Sequence, residues 1–227
     1  MSVWIIAAVG VVVGLLAGCV VAAVSTRLPL YLKTVWRTNA HEYLELPFMP
    51  DVSIAPSRRW GDLKGRRFLV IEVVCAAVGG ILFWRAGLSL ETLVFAILFW
   101  ALISVAVIDH ETLYIPDAIV LPLLWAGLLF YALTSPDQLQ WHVLGAAVGY
   151  CALRWLPVGE GDAKLCAVAG AWVGLEQMLT FGLIGAALGV VVGIVYYCRR
   201  GKSEPYPYGP SLVVSLIGTA SMHILSL

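Results

Sequence analysis

The stretch VWIIAAVGVVVGLLAGCVVAAV, residues 3–24, carries no charged residue along its whole length. A membrane-spanning helix needs about 20 mainly apolar residues, and this run supplies them. It has no basic segment ahead of it, and it is longer than the apolar region of a signal peptide, so it is predicted to be a retained span. Because the backbone must satisfy its own hydrogen bonds in lipid, the run predicts an all-α integral membrane protein.

The rest of the chain has the same character. Of its 227 residues, 61% are hydrophobic and 12% are charged, whereas soluble domains carry about 25% charged residues. Apolar runs predict about eight transmembrane helices in a single polytopic membrane domain covering residues 1–227, near 3–24, 67–85, 90–108, 118–134, 139–157, 163–176, 178–198 and 209–226. The break at Glu176 and Gln177 is short, so seven spans remain the alternative count. The 14 basic and 14 acidic residues cancel, so no nucleic-acid partner is indicated.

Basic residues predict which face is cytoplasmic. Eight of them lie in the segment 25–67, and Arg199, Arg200 and Lys202 follow the seventh span. With eight spans both groups fall on one side, which the positive-inside rule makes cytoplasmic. The segment 25–67 is therefore predicted to be one larger cytoplasmic loop, either resting on anionic lipid headgroups or forming a platform for a membrane substrate.

Two aspartates lie at the ends of apolar runs. They are candidate functional residues, because a charge inside a span is costly and commonly functional. Asp109 ends the third run, and Asp162 stands beside Gly159 and Gly161, which would let another backbone approach closely. The predicted topology puts both aspartates at the cytoplasmic face. Two carboxylates held close share one proton, so one can deprotonate a water while the other polarises a carbonyl. This pattern favours an aspartyl membrane hydrolase.

Three further ionisable residues are supporting candidates. Asp117 follows Pro116 and precedes an apolar run, where a helix N-cap is expected. Lys164 can either extend to the interface or pair with a carboxylate. Glu72 is a carboxylate inside the second span.

These residues resemble a known family. GEGDAKL (159–165) with GAWVG (170–174) is similar to the GxGD segment of the type IV prepilin peptidases, which also resembles the presenilin class of aspartyl proteases. IDHETLYIPDAIVLPLLW (108–125) resembles the family's other aspartate segment. STRLP (25–29) and RRFLVIEVV (66–74) resemble the segments that begin and end its large cytoplasmic loop.

The resemblance implies that Asp109 and Asp162 are the catalytic pair, in an eight-span protein of the bacterial inner membrane with its site on the cytoplasmic side. It implies removal of basic leader peptides from prepilins or pseudopilins, after a glycine. It further implies S-adenosylmethionine as a methyl donor for the new N-terminus, with Glu72 a residue that could serve either activity. Gly159 and Gly161 would make room for the substrate.

The chain departs from the family in one respect. Many members carry two CxxC pairs in the large loop, which look like a zinc site, but residues 25–67 contain no cysteine. No zinc is therefore expected, and methyl transfer has no residues assigned to it. Two other function classes stay open: a non-catalytic assembly subunit of a pilus or type II secretion machine, and a proton-coupled carrier.

Overall fold

The computed structural model describes residues 3–45, 65–154, 159–200 and 206–226. Within these ranges the chain is all-helical: α1 Val3–Tyr43, α2 Arg66–Ala86, α3 Leu90–Thr112, α4 Asp117–Thr134, α5 Leu139–Arg154, α6 Glu160–Arg200 and α7 Gly209–Ser226. Five of the described helices, α1, α2, α3, α4 and α6, are long and apolar enough to cross a membrane. The chain is thus a multi-pass membrane protein, and it divides into two compact units, Met1–Trp84 and Arg85–Leu227.

In the first unit, small residues bring α1 and α2 together. Gly10, Gly14 and Gly18 follow one another at four-residue spacing along one buried stripe of α1. A Cβ on Gly10 would lie 2.6 Å from the Gly79 carbonyl oxygen of α2, and one on Gly18 would lie 2.7 Å from the Cα of Glu72. Small residues at this spacing let backbones approach within a membrane, so this stripe sets the α1–α2 separation.

α1 continues well beyond the predicted end of the first span at Val24, reaching Tyr43. Only Pro29 in this extension is a helix breaker, and the backbone passes through it as helix. Hydropathy marks where a helix would leave the membrane, not where it ends, which accounts for the difference. The segment predicted as a loop therefore begins as helix; residues 46–64 lie outside the described part, so the remainder of the loop stays a prediction.

In the second unit, α6 reverses direction at Gly174, whose φ is 72° and ψ is 169°. A Cβ on Gly149 of α5 would meet both the Cys166 carbonyl and, at 2.8 Å, the Met178 methyl. In a straight helix these two residues would be about 18 Å apart, so the chain must fold back between them. We call residues 160–173 the first arm of α6 and residues 175–200 the second arm. The sequence predicted a break slightly later, at Glu176 and Gln177.

Aromatic side chains fix this turn. Trp172 Nε1 donates to the Leu123 carbonyl of α4 at 2.9 Å, and the Tyr131 hydroxyl donates to the Trp172 carbonyl at 3.0 Å. The buried His142 ring of α5 stacks on Tyr131 with centroids 3.4 Å apart, and its Nδ1 lies 3.1 Å from the Ala171 carbonyl oxygen. α4 and α5 thereby hold the turn and, through it, the position of the first arm that carries Asp162.

Candidate active site

Asp109 lies in the last turn of α3 and is only 5% exposed. Its Oδ2 accepts a hydrogen bond from the backbone N–H of Gly209, at 2.9 Å. Gly209 is the first residue of α7, and the N-terminal end of a helix stabilises negative charge. The start of α7 therefore provides a polar partner for a carboxylate that α3 buries.

Asp162 lies in the first turn of the first arm of α6 and is half-buried. The backbone N–H of Gly159 donates to its carboxylate, and the Asp162 N–H donates to the Gly159 carbonyl at 3.0 Å. The bond from the Gly159 N–H to the Asp162 side chain is one half of a capping box, and Gly159 has no side chain to supply the other half. The Asp109 carboxylate lies close enough to Asp162 to act on its charge.

The segment YPYGP (206–210) contacts Asp109 and lines the same cavity as Asp162. Gly209 binds Asp109, while Tyr208 lies near Asp162 and packs on Gly189 of the second arm. Burial first, and then the neighbouring Cys166 thiol and Asp162 carboxylate, raise the pKa of Tyr208. Its phenol is therefore a neutral hydroxyl near physiological pH, able to donate a hydrogen bond beside the aspartates.

A cavity of about 970 Å³ opens beside Asp162, between α5, both arms of α6 and the start of α7. Small residues, among them Gly149, Gly159 and Ala186, leave this space, and most of the lining is apolar. Tyr206 and Tyr208 add hydroxyl groups to the lining. An extended apolar peptide could lie here with a backbone carbonyl next to Asp162, because apolar walls and a few convergent polar groups are typical of binding sites.

Asp117 is not the N-cap that the sequence predicted. Pro116 is the N-cap of α4, with an extended backbone, and its carbonyl accepts from the Ile119 and Val120 N–H groups. Asp117 is the first helical residue, and both of its carboxylate oxygens accept from Lys164 Nζ, at 3.0 and 2.9 Å. The proline already supplies the extended geometry of a cap, which leaves the aspartate side chain for Lys164.

The other supporting residues lie in two places. Gly161 packs on Ile115, so closely that an added Cβ would lie 2.8 Å from the Ile115 Cβ. Glu72 lies on α2 in the first unit, where the Cys19 thiol donates to it at 3.1 Å. Its part in either activity stays a prediction.

Tyr208 and Gly209 were missed at the level of sequence. The signal was available: a run of two tyrosines, two prolines and a glycine stands directly before the last apolar stretch. Glycine and proline at such a position mark a tight turn into a helix. Nothing in the run itself indicates that its glycine would bind an aspartate one hundred residues earlier in the chain.

Comparison with known proteins shows which family the chain resembles. The profile of the Type IV leader peptidase family matches residues 96–194, a range that contains both Asp109 and Asp162. A prepilin leader peptidase/N-methyltransferase of Pseudomonas putida is 34% identical, over 90% of this chain and 86% of that protein. Proteins of the same description from Stutzerimonas stutzeri and Neisseria gonorrhoeae are each 32% identical, over the same shares. No solved structure matches the chain.

The alignment with the Pseudomonas putida protein covers most of its length, and the family profile covers both aspartate segments and the turn at Gly174. Among the described residues, no group of three or more histidine, cysteine or acidic side chains is placed to hold a metal ion. The chain belongs to the Type IV leader peptidase family.

Proposed function

We propose that the protein is a membrane aspartyl peptidase that removes the basic leader peptide of type IV prepilins or pseudopilins. The observation that carries the proposal is that the Asp109 carboxylate acts on the charge of Asp162, which lines an apolar cavity. The relatives, whose names describe prepilin leader peptidases, support the substrate class. A non-catalytic assembly subunit is not favoured, because it would have no use for two carboxylates at one site.

In the proposed reaction the two carboxyl groups share one proton. The ionised carboxylate takes a proton from a water molecule, and the oxygen of that water attacks the carbonyl carbon of the scissile peptide bond. The protonated partner polarises the carbonyl oxygen. When the C–N bond breaks, a proton passes to the leaving nitrogen, which becomes the new N-terminus of the pilin, and the leader ends in a carboxyl group.

We further propose eight membrane spans, with the two arms of α6 counted as separate spans. Gly174 supports this count, because the second arm returns along the first. With eight spans, the basic residues of 25–67 and 199–202 fall on the same side as the aspartates, which supports our proposal that the site lies at the cytoplasmic face of the bacterial inner membrane. In the eight-span topology, Gly87, Asp137 and Glu176 lie at the membrane face opposite to the aspartates. A topology map with cysteine labels at these three positions would test the assignment.

Anionic lipids are the proposed partners of the extension of α1. Arg27, Lys33 and Arg37 are exposed there, and Trp36 is 48% exposed beside them. Each basic residue near an anionic surface contributes about 1 kcal/mol, and tryptophan favours the headgroup level. A cationic surface would repel basic leader peptides, so it is not proposed as their main docking face.

S-adenosylmethionine is the methyl donor that the relatives' names imply. Among the described residues that line the cavity, the polar groups are the Asp162 carboxylate, the Cys166 thiol and the phenols of Tyr206 and Tyr208. These residues include no basic side chain for the carboxylate of the donor, so they do not form a site that fits it. Methyl transfer is therefore assigned to none of them.

The experiment reconstitutes the purified chain in liposomes with a prepilin, with and without S-adenosylmethionine, and analyses the products by mass spectrometry. We expect a released leader and a shortened pilin in both conditions. A gain of one methyl group on the pilin only when the donor is added would establish the second activity. An intact prepilin after prolonged incubation would contradict the proposed function.

A zinc chelator is expected to leave cleavage and thermal stability unchanged. The physical reason is that residues 25–67 contain no cysteine and only one histidine, His41, so this segment lacks the thiolate ligands of a structural zinc site. Both quantities are measured before and after chelation of the purified protein. Loss of either that added zinc restores would show that the protein depends on the metal.

A further inference from the structure

Lys164 and Asp117 join the beginnings of two helices. Asp117 is the first residue of α4, and Lys164 lies in the first turns of α6. The ammonium group contacts both oxygens of Asp117, at 3.0 and 2.9 Å. Lys164 also contacts Glu160 at 3.2 Å. Because Glu160 lies one turn earlier on the same helix, this second contact does not join α6 to another helix.

The two joined helix ends also carry or adjoin the two catalytic candidates. Asp162 lies between Glu160 and Lys164 in sequence. From Asp109 the chain leaves α3 at Leu113, whose N–H donates to the Asp109 carbonyl at 2.8 Å, and reaches Asp117 only four residues later. Between them Ile115 packs on the backbone of α6. A short chain segment therefore connects Asp109 to Asp117, the ion pair connects Asp117 to Lys164, and Lys164 lies two residues from Asp162 on the same helix.

The pair is partly exposed, with side-chain exposures of 21% for Lys164 and 45% for Asp117. Ion pairs with this exposure add little to the stability of a protein, because water and salt screen them. Lys164 also does not contact Asp162, since residues two apart on a helix face different directions. The contact of Lys164 with both Asp117 oxygens is therefore explained neither by a contribution to the stability of the whole protein nor by a direct effect of the Lys164 charge on the Asp109 and Asp162 carboxylates.

We propose that Lys164 and Asp117 form a positioning pair that sets the distance between the Asp109 and Asp162 carboxylates; this rests on the proposed function. The pair acts on the turnover number and not on substrate binding, because it holds the reacting groups and not the leader. A displacement of about 1 Å between reacting groups can lower a rate roughly 100-fold.

The test measures kcat and KM for prepilin cleavage by the full chain reconstituted in liposomes. Lys164→Met is expected to lower kcat roughly 10- to 100-fold with KM within about twofold. Lys164→Arg, which keeps the charge and can bind a carboxylate through two nitrogens, is expected to retain most of kcat. Asp117→Asn should be milder than Lys164→Met, because the amide oxygen still accepts from the ammonium group.

Charge reversal separates positioning from any other role. In a Glu160→Gln background, Asp117→Lys and Lys164→Asp should each lower kcat, and their combination in the same background should recover most of the loss, as a double-mutant cycle requires for a direct pair. Glu160→Gln alone is the matched control: it removes the contact that stays within α6, and kcat should not change.

Several outcomes would overturn the proposal. These are a kcat unaffected in Lys164→Met, single reversals that fold but show no recovery when combined, or a Glu160→Gln effect as large as that of Lys164→Met. Failure of Lys164→Met and Asp117→Asn to fold would also overturn it, by showing that the pair maintains the fold. Asp109→Asn and Asp162→Asn are measured in the same assay. If these variants retain cleavage, the proposed catalytic roles of Asp109 and Asp162 are wrong, whatever the result for the positioning pair.

Discussion

Replacing either Asp109 or Asp162 with asparagine is expected to abolish prepilin cleavage while the protein stays folded in the membrane. The physical reason is that each amide keeps the shape of the side chain but can neither accept the proton of the attacking water nor share one with its partner. General acid–base groups of this kind contribute about 100- to 10,000-fold each, and removing one member of a unit removes the function of the unit. We therefore expect at least a roughly 1,000-fold loss for each variant.

Folding should survive because the contacts that hold these side chains need only an acceptor oxygen. The Gly209 N–H can donate to the amide oxygen of an asparagine at position 109, and the Gly159 N–H can do the same at position 162. Cleavage is measured by mass spectrometry, and folding by the yield and melting temperature of the purified protein. Glu111→Gln, at an exposed carboxylate two residues after Asp109, is the control and should cleave normally. Cleavage by either asparagine variant at more than a tenth of the normal rate would contradict the assignment.

Replacing Gly209 with alanine is expected to lower kcat roughly 100-fold. A Cβ at this position would lie 2.7 Å from Asp109 Oδ2 and 3.0 Å from its Cγ, both tighter than ordinary contact. The carboxylate cannot be displaced freely because α3 buries it. The added methyl group should therefore move Asp109 or the start of α7, and so disturb the hydrogen bond that orients Oδ2.

Gly218→Ala is the matched control for this variant. Gly218 lies on the same helix, α7, and a Cβ added there would meet no atom within 4 Å. We expect kcat and melting temperature to match those of the unaltered protein. Equal activity of Gly209→Ala and Gly218→Ala would show that contact between Gly209 and Asp109 is not needed for cleavage.

The long apolar helices and the two aspartates could be predicted because each depends on a local pattern. α4 and α7 begin and end within one residue of the predicted spans, since apolar runs of that length have few alternatives. Asp109 and Asp162 could be identified because a carboxylate at the edge of an apolar run is unusual in any context. Their functional pairing, however, came from the resemblance to a family and from the predicted topology.

What could not be predicted depends on contacts between distant parts of the chain. The reversal of α6 falls at Gly174, where no polar residue stands; its position is set by the Trp172 and His142 contacts with neighbouring helices, which the hydropathy pattern does not contain. The partner of Asp117 is likewise a matter of tertiary structure. A local rule predicted a cap, whereas Lys164, far along the chain, binds the same carboxylate.

The Asp109 and Asp162 carboxylates are proposed to act on one peptide bond. The most direct test is their separation in the protein bound to a prepilin peptide whose scissile bond is replaced by a non-cleavable hydroxyethylene group, determined by electron cryomicroscopy. We predict that both carboxyl groups lie within hydrogen-bond distance of the inhibitor hydroxyl and within about 3–5 Å of each other. Carboxyl groups more than roughly 12 Å apart, or a hydroxyl bound away from both, would contradict this proposal.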